Sequence, residues 1–367
     1  IMALACQPLL LVIAWGMGGL FSAMGHPPEQ VVLERQYYFV MMSGAFFALL
    51  KACVAGYFCG IGKTRVVMIT DVLGVLINIP LTWALIFGKL GFPELGIRGA
   101  ALATVIATAC SLLIYAAFYF NRIHRERFHV ADSFRFDPGI LRRYVRLGLP
   151  SGFETFVGAA TFNFFLLLFQ SYGIAEGAAM AIVFNWDMLN YVPLIGLNIA
   201  VTSMIGRYVG ARDMTRAGQL IAAGFTIALG FSVVLALFFV LFRYELMMVF
   251  ATPGEDFSEI ASLGARMMLG MATYVVADAV ILVCSGVLRG AGDTRWLMNT
   301  SMSLHVLMLV AQYVMIKHLK VGPLVSWWGF VAMLLALAVV YLLRLRGSTW
   351  RKPSRLARGM AALNLRV

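Results

Sequence analysis

Four acidic residues lie inside apolar stretches of this sequence: Asp71, Glu154, Asp187 and Asp278. An ionised side chain is energetically costly in such a stretch and usually has a function there. Tyr274 precedes Asp278 by four residues, so a helix places both side chains on one face. A carboxylate shielded from water is neutralised by a proton, by a metal cation or by an organic cation. Because these three compete for one negative charge, such a residue can couple the movement of an ion to that of an organic compound.

The four acids differ in their surroundings. We expect Asp278, in the middle of its apolar stretch, to bind an ion or a substrate. Asp187 has two interpretations, a binding role and a hydrogen bond between helices, and the sequence leaves both open. Asp71 lies near Arg65 at the end of its stretch, which favours a structural role. Lys51 lies in mid-stretch and needs an acidic partner or a path to the membrane surface; an acid from helices preceding this chain is one source of that partner.

The composition indicates a membrane protein. Hydrophobic residues make up 61% of the chain and charged residues only 13%, with a mean hydropathy of +0.87. Soluble domains contain about 25% charged residues, so the low charged fraction of this chain indicates a polytopic membrane protein. The net charge of +12 comes from short basic clusters between apolar runs. That distribution argues against nucleic-acid binding and agrees with the excess of Lys and Arg on cytoplasmic loops.

Ten apolar segments are long enough to cross a membrane, which takes about 20 helical residues. Their approximate limits are 1–23, 37–60, 66–88, 98–121, 146–171, 177–205, 215–242, 260–288, 296–317 and 323–345. The basic clusters fall on alternate connections and on the C-terminal tail. This alternation places those connections and the C-terminus in the cytoplasm, in a multi-pass protein of the inner (plasma) membrane.

One connection, 122–145, is longer and more basic than the others. Such a segment is typical of a boundary between two bundles. The predicted organisation is a partial N-lobe of four helices, a basic cytoplasmic linker, a C-lobe of six helices and a basic cytoplasmic tail, at 1–121, 122–145, 146–345 and 346–367.

An internal repeat supports this division. At a separation of 230 residues, 56–65 and 286–295 share three glycines, a threonine and an arginine. Both copies have the same predicted orientation, as in transporters built from parallel repeats. The second copy has six predicted segments and the first has four, so we expect two further helices and part of a third before residue 1.

Several functional classes lack their sequence signatures. The five cysteines show neither a CxxC spacing nor nearby histidine pairs, which argues against a metal site or a disulfide framework. The run GIGKTR at 60–65 lacks the first glycine of a phosphate-binding loop, so we expect no nucleotide site. Neither HExxH nor GxSxG occurs, and we predict neither an enzyme nor a cofactor. His305 is flanked by apolar residues, which favours a packed histidine over a proton relay.

Five runs of residues carry a family pattern. They are GIGKTR at 60–65, NIPL at 78–81, IFGKLGFPELGIRGAALAT at 86–104, NWD at 185–187 followed by Pro193, and LRGAGDTR at 288–295. Together they resemble the MATE (multidrug and toxic compound extrusion) transporters, and within them the NorM-like bacterial branch. The resemblance covers nearly the whole chain. It implies an all-α polytopic membrane protein that has two pseudo-symmetric bundles of six helices. About ten of these twelve helices lie in this chain.

The resemblance also implies a secondary active antiporter. Family members export organic, often cationic, compounds in exchange for Na⁺ or H⁺ by alternating access of the two lobes. We therefore expect multidrug efflux of small xenobiotic molecules across the lipid bilayer by a monomer, with Na⁺ or H⁺ as the coupling ion. The alternative is a lipid-linked precursor flippase of the same superfamily. That function would be expected to require a more basic cleft, and Lys51 is the only base well inside a predicted helix.

Site residues follow from the same resemblance. In NorM-like members a tyrosine and an aspartate four apart in the tenth helix help to bind the cation, which implies that Tyr274 and Asp278 bind Na⁺ here. A glutamate of the seventh helix also contributes; its position holds Gly158, and Glu154 one turn earlier is a candidate substitute. Together with polar positions of the N-lobe, the expected ion- and substrate-binding residues are Asp278, Tyr274, Glu154, Asn185, Asp187, Asn78 and Thr104.

Overall fold

The computed structural model describes residues 2–23, 28–122, 124, 126, 137–251, 257–347 and 350. Within them the chain is helical and contains no β-strand, which confirms the predicted all-α fold. The helices are α1 (Met2–Ala23), α2 (Pro28–Ser43), α3 (Ala45–Gly60), α4 (Thr64–Phe87), α5 (Gly96–Tyr119), α6 (Pro138–Gln170), α7 (Ile174–Gly210), α8 (Met214–Leu241), α9 (Arg243–Met248), α10 (Ser258–Gly290), α11 (Thr294–Tyr313) and α12 (Pro323–Arg346). A short π-helix, Val314–His318, extends α11.

Eight of these helices are individually long and apolar enough to cross a membrane. A ninth span arises if α2 and α3, which meet at a bend of 44°, count as one crossing. The predicted segment at 37–60 corresponds to this bent pair, which begins earlier, at Pro28. The predicted segment at 1–23 forms α1, whose apolar part is the shorter Cys6–Gly16. In the described residues the ten predicted spans therefore become eight or nine.

Local sequence signals set several helix ends. Asp137 caps α6, because its carboxylate accepts hydrogen bonds from the backbone N–H groups of Gly139 and Ile140, at 2.7 and 3.2 Å. Pro138 fits the first turn of α6, where no backbone N–H is needed. Gly88 ends α4 with a φ of 62°, the left-handed conformation that glycine adopts at helix ends.

The two copies of the sequence repeat form the same turn. After α3, and again after α10, the turn is closed by a matching pair of backbone hydrogen bonds of 3.0 and 2.8 Å. Gly62 and Gly292 lie at equivalent positions in these turns, with φ of 77° and 83°. Only glycine adopts such angles readily, so the repeated glycine encodes a repeated turn.

Contacts divide the chain into two compact units, 1–136 and 137–367. In the first unit α5 packs against α2, α3 and α4. Lys51 of α3 pairs with Asp71 of α4, with 2.9 Å between Nζ and Oδ1. The partner of Lys51 therefore lies in this chain, and the expectation of a partner from preceding helices is wrong. Half of the predicted linker, 122–145, and most of the predicted tail, 346–367, lie outside the described residues.

The second unit is built around α10, which packs against α7, α8 and α12. Glycines allow α10 to approach α7 closely. A β-carbon on Gly286 would lie 3.0 Å from the carbonyl oxygen of Asn198, and one on Gly290 would lie 2.6 Å from that of Thr202. On another face the indole N–H of Trp327 donates to the backbone of α10 at 2.9 Å. These contacts fix the rotation of α10, and hence the direction in which its polar residues point.

Candidate functional site

The second unit contains a cavity of about 420 Å³ lined by residues of α6, α7, α10, α11 and α12. Small-molecule sites in proteins typically have about 300–1,000 Å³. Its wall is largely apolar and aromatic, and its charged and titratable members include Glu154, Asp187, Tyr274, Asp278, Arg289 and His305. We call it the acidic cavity, because three of these six side chains are carboxylates.

Helix α10 contributes Tyr274 and Asp278, one turn apart, to the acidic cavity. Both are buried, with exposed fractions of 1% and 8%. Trp327 and Phe330 pack edge-on against the Tyr274 ring, with centroids 6.1 and 5.9 Å away, and hold its orientation. The Tyr274 hydroxyl forms no hydrogen bond of ordinary length and angle among the described residues, but the Asp187 carboxylate of α7 lies near enough to interact with it as a hydrogen-bond partner. Tyr274 and Asp187 therefore present their oxygen atoms to the same part of the cavity.

Asp187 of α7 belongs to the same part of the cavity. It is 6% exposed, and it lies within electrostatic reach of Tyr274 and Asp278. Its Oδ1 atom has no hydrogen-bond partner among the described residues. Neither Asp187 nor Asp278 forms an ion pair with a described lysine or arginine. Two buried carboxylates in this arrangement favour the binding of a cation or of protons.

Glu154 of α6 also lines the cavity, but it is already paired with a cation. Arg289 donates from Nη2 to Glu154 Oε1 at 2.9 Å. Asn198 accepts a second hydrogen bond from Arg289 at 3.4 Å and donates to the Ser285 hydroxyl at 2.9 Å. Glu154 Oε2 has no hydrogen-bond partner among the described residues. The candidate substitute for the family's glutamate therefore lies in the cavity with one oxygen held by Arg289.

Arg289 is absent from the predicted site residues, because its basic cluster is assigned to a cytoplasmic loop. In the structure α10 continues to Gly290, so Arg289 lies in its last turn, with 27% of the side chain exposed. A base at the very end of a helix therefore reaches the cavity, which the sequence did not predict. Helical spacing contained the signal: Arg289 follows the cavity residues Leu282 and Ser285 by seven and four positions.

His305 of α11 lines the cavity too, whereas the sequence favours a packed histidine. Its Nδ1 atom is 2.7 Å from the carbonyl oxygen of Ser301, one turn earlier in the same helix. Gly158 of α6, where the resemblance implies a glutamate in the family, is another cavity residue. The position expected to hold an acid therefore faces the same space as an imidazole.

The remaining predicted residues do not line this cavity. Asn185 is exposed on α7 and donates to the carbonyl oxygen of Ala181 at 3.0 Å. In the first unit, the hydroxyl of Thr104 donates to the carbonyl oxygen of Ala100 at 3.1 Å, and Asn78 is half-buried on α4. The binding roles of these three residues stay predictions.

Comparison with known proteins agrees with the motifs. The MatE family model matches residues 1–84 and 150–314, which is more than half of the chain. "Probable multidrug resistance protein NorM" of Thermotoga maritima is 29% identical over 327 residues, which cover 88% of this chain and 69% of the relative.

Solved structures share the fold. The structure described as "Crystal structure of MATE in complex with MaL6" has a TM-score of 0.83 at 24% identity, covering 96% of this chain and 78% of its own. A MOP superfamily transporter from Pyrococcus furiosus has a TM-score of 0.80 at 24% identity, covering 95% and 79%. At such identities the likeness shows the fold alone. Because the family model matches most of its length, this multi-pass membrane protein belongs to the MatE family.

Proposed function

We propose that this protein is a multidrug efflux transporter, which exports organic cations or amphipathic compounds across the plasma membrane in exchange for Na⁺ or H⁺. The observation that supports this most is the acidic cavity. There Asp187 and Asp278 have no cationic partner among the described residues, and they lie near the hydroxyl of Tyr274. The Thermotoga maritima relative is named as a probable multidrug resistance protein, which agrees with this proposal.

The charge balance of the cavity selects a cationic ligand. Three carboxylates, Glu154, Asp187 and Asp278, share the cavity with Arg289, which pairs with Glu154. The carboxyl groups of Asp187 and Asp278 have no basic partner among the described residues. Because charges interact strongly where water is scarce, an organic cation, Na⁺ or protons stabilise this arrangement.

The apolar wall of the cavity suits the organic part of such a ligand. Phe162, Phe184, Met308 and Met333 are among the lining residues. Aromatic rings present flat faces to a bound cation, and methionine side chains adapt their shape to different ligands. A site of this kind binds compounds by charge and hydrophobicity rather than by one fixed shape, as multidrug efflux requires.

Competition for the two free carboxylates gives the exchange its physical basis. The oxygens of Asp278, Asp187 and Tyr274 are hard donors that suit Na⁺, and the same carboxylates accept protons. An ion that neutralises them lowers the affinity for the organic cation, and the reverse holds by linkage. We propose that the protein acts as a monomer with a cytoplasmic C-terminus, and that its helical bundles alternate the access of the site.

The flippase alternative is less well supported by the cavity. A lipid pyrophosphate needs unpaired basic residues. Among the described residues that line the cavity, Arg289 is the permanently charged base, and Glu154 already accepts its hydrogen bond. A pyrophosphate would also lie near the charges of Asp187 and Asp278.

Efflux of a fluorescent organic cation tests the proposal. Cells that lack their own exporters would express the full chain, be loaded with ethidium, and be followed with and without Na⁺ at two pH values. We expect efflux from these cells, and we expect Asp278→Asn to abolish it, because the substitution removes one of the two free charges. Glu259→Gln is the matched control, since Glu259 is an exposed acid at the start of the same helix. Ethidium efflux that persists in Asp278→Asn would remove Asp278 from the mechanism.

A further inference from the structure

The tautomer of His305 follows from its hydrogen bond. Nδ1 lies 2.7 Å from the carbonyl oxygen of Ser301 and 3.3 Å from its hydroxyl. A carbonyl oxygen accepts hydrogen bonds and never donates, so Nδ1 carries a hydrogen atom. In the neutral ring the other nitrogen, Nε2, then holds the lone pair that binds a proton.

Nε2 is directed at a position that has no side chain. A β-carbon built on Gly158 would lie 3.8 Å from His305 Nε2. Because residue 158 is glycine, the edge of the ring faces the cavity rather than a side chain of α6. No hydrogen bond to Nε2 occurs within the part of the chain that the structure describes. The lone pair is therefore accessible from the acidic cavity.

The charges around His305 determine what a proton at Nε2 would do. His305 shares the cavity with groups from the four other helices that line it. The titratable and charged members are Glu154 of α6, Asp187 and Tyr191 of α7, Tyr274, Asp278 and Arg289 of α10, and Tyr341 of α12. Since Arg289 pairs with Glu154, protonated His305 would be the second positive charge in a cavity where Asp187 and Asp278 have no basic partner among the described residues.

We propose that His305 is a specificity-determining residue of the exchange, and that it selects H⁺ as the coupling ion. A proton from the external side binds the Nε2 lone pair, and the imidazolium weakens the hold of Asp187 and Asp278 on an organic cation. The cation leaves, and the proton is released when the next cation binds from the cytoplasmic side. One H⁺ is taken up and one released per cycle, with no covalent bond broken. This inference rests on the proposed export of organic cations.

Histidine suits this role chemically. It is the side chain whose ordinary titration range lies closest to physiological pH, so a modest pH gradient changes its charge. A carboxylate at position 158 would offer oxygen ligands for Na⁺, whereas an imidazolium repels a metal ion. The combination of Gly158 and His305 therefore favours H⁺ over Na⁺ by excluding one ion as well as by binding the other.

Equilibrium binding of tetraphenylphosphonium to the purified full chain tests the inference without requiring transport. This probe has a permanent charge, so pH changes the protein alone. We expect the affinity of the wild-type chain to fall by about tenfold for each pH unit below the point where one competing proton binds. His305→Gln removes the imidazole but leaves the carboxylates of Asp187 and Asp278, so the fall in affinity between pH 7.5 and pH 5.5 should be at least threefold smaller than in the wild-type chain. His305→Lys carries a permanent charge and should bind at least tenfold more weakly than wild type at pH 7.5.

His318→Gln is the matched control, because His318 is an exposed histidine that does not line the acidic cavity. It should keep the pH dependence of the wild-type chain. A wild-type pH dependence that persists unchanged in His305→Gln would overturn the inference while leaving the proposed function intact. Absence of probe binding by the wild-type chain at every pH would overturn the proposed function, and the inference with it. Displacement of the probe from the wild-type chain by Na⁺, but not by the same concentration of choline, would also contradict selection of H⁺.

Discussion

Arg289 and Glu154 form an ion pair in the acidic cavity, with 2.9 Å between Nη2 and Oε1. The pair joins the end of α10 to α6, across 135 residues of sequence. It also sets the charge of the cavity, because it neutralises one of the three carboxylates and leaves Asp187 and Asp278. The pair thus connects two helices. It also leaves Asp187 and Asp278, the two carboxylates near Tyr274, as the acids that remain for a ligand.

Breaking this pair from one side should destabilise the protein. Arg289→Met leaves Glu154 charged in a site where only 7% of its side chain is exposed, and we expect a loss of about 2 kcal/mol, since Arg289 itself is partly exposed. Thermal unfolding in detergent measures the effect. The double variant Arg289→Met/Glu154→Gln should recover most of the loss, because no unpaired charge remains. A double variant as unstable as the single one would show that the pair does not carry the effect.

Asp187 has two interpretations from the sequence, and one substitution separates them. If it is part of the cation site, Asp187→Asn should weaken the binding of tetraphenylphosphonium by tenfold or more, the effect of removing one nearby charge. Glu176→Gln is the control, because it removes an acidic charge from the first turn of the same helix, outside the acidic cavity. Unchanged affinity in Asp187→Asn, together with a lower unfolding temperature, would assign Asp187 a structural role.

Features that depend on residues close together in the sequence were predicted correctly. Tyr274 and Asp278 are one turn apart and both line the cavity, and hydropathy located most of the helices. The repeat at 230 residues predicted a common element, and Gly62 and Gly292 do form the same turn. In each case the signal lies within a few residues along one helix or in two copies of one motif.

Features that depend on how helices distant in the sequence pack together could not be predicted. The sequence predicts that Arg289 is a loop residue, because it adjoins a Gly-rich turn. Only the packing of α10 on α7 shows that the helix continues through Arg289. The pairing with Glu154 depends on the rotation of two helices, which periodicity does not fix. The direction of His305 Nε2 depends on a hydrogen bond to Ser301 and on the missing side chain at Gly158.

Close packing of α10 against α7 predicts a different response at two glycines. A β-carbon on Gly290 would lie 2.6 Å from the Thr202 carbonyl oxygen and 2.9 Å from Ile205 Cβ, so Gly290→Ala forces the helices apart and should cost about 1–3 kcal/mol. Gly230 of α8 has no atom within 4 Å of such a carbon, and Gly230→Ala should be neutral or stabilising by up to about 1 kcal/mol. Thermal unfolding compares the two. Equal stability of both variants would mean that α10 and α7 are not in this close contact.

His124 lies after α5 in the first unit, with both ring nitrogens engaged. Lys63 Nζ is 3.2 Å from Nδ1, and the Tyr57 hydroxyl is 2.9 Å from Nε2. An ammonium group only donates, so Nδ1 accepts and the neutral ring donates from Nε2 to Tyr57. Burial, and secondly the charge of Lys63, lower the pKa of His124 below its ordinary value.

This pKa predicts how the stability of the first unit depends on pH. The unfolded chain binds a proton at His124 more readily than the folded chain does, so the free energy of unfolding decreases as pH falls below the ordinary histidine range, about pH 6.5. Protonation also places a hydrogen on Nδ1 opposite the Lys63 ammonium, which removes that contact. We therefore expect the unfolding temperature of the full chain to fall between pH 7.5 and pH 5.5, and the fall to be smaller in His124→Gln. His318→Gln should keep the wild-type slope, and an equal slope in all three chains would show that His124 is not protonated on unfolding in this range.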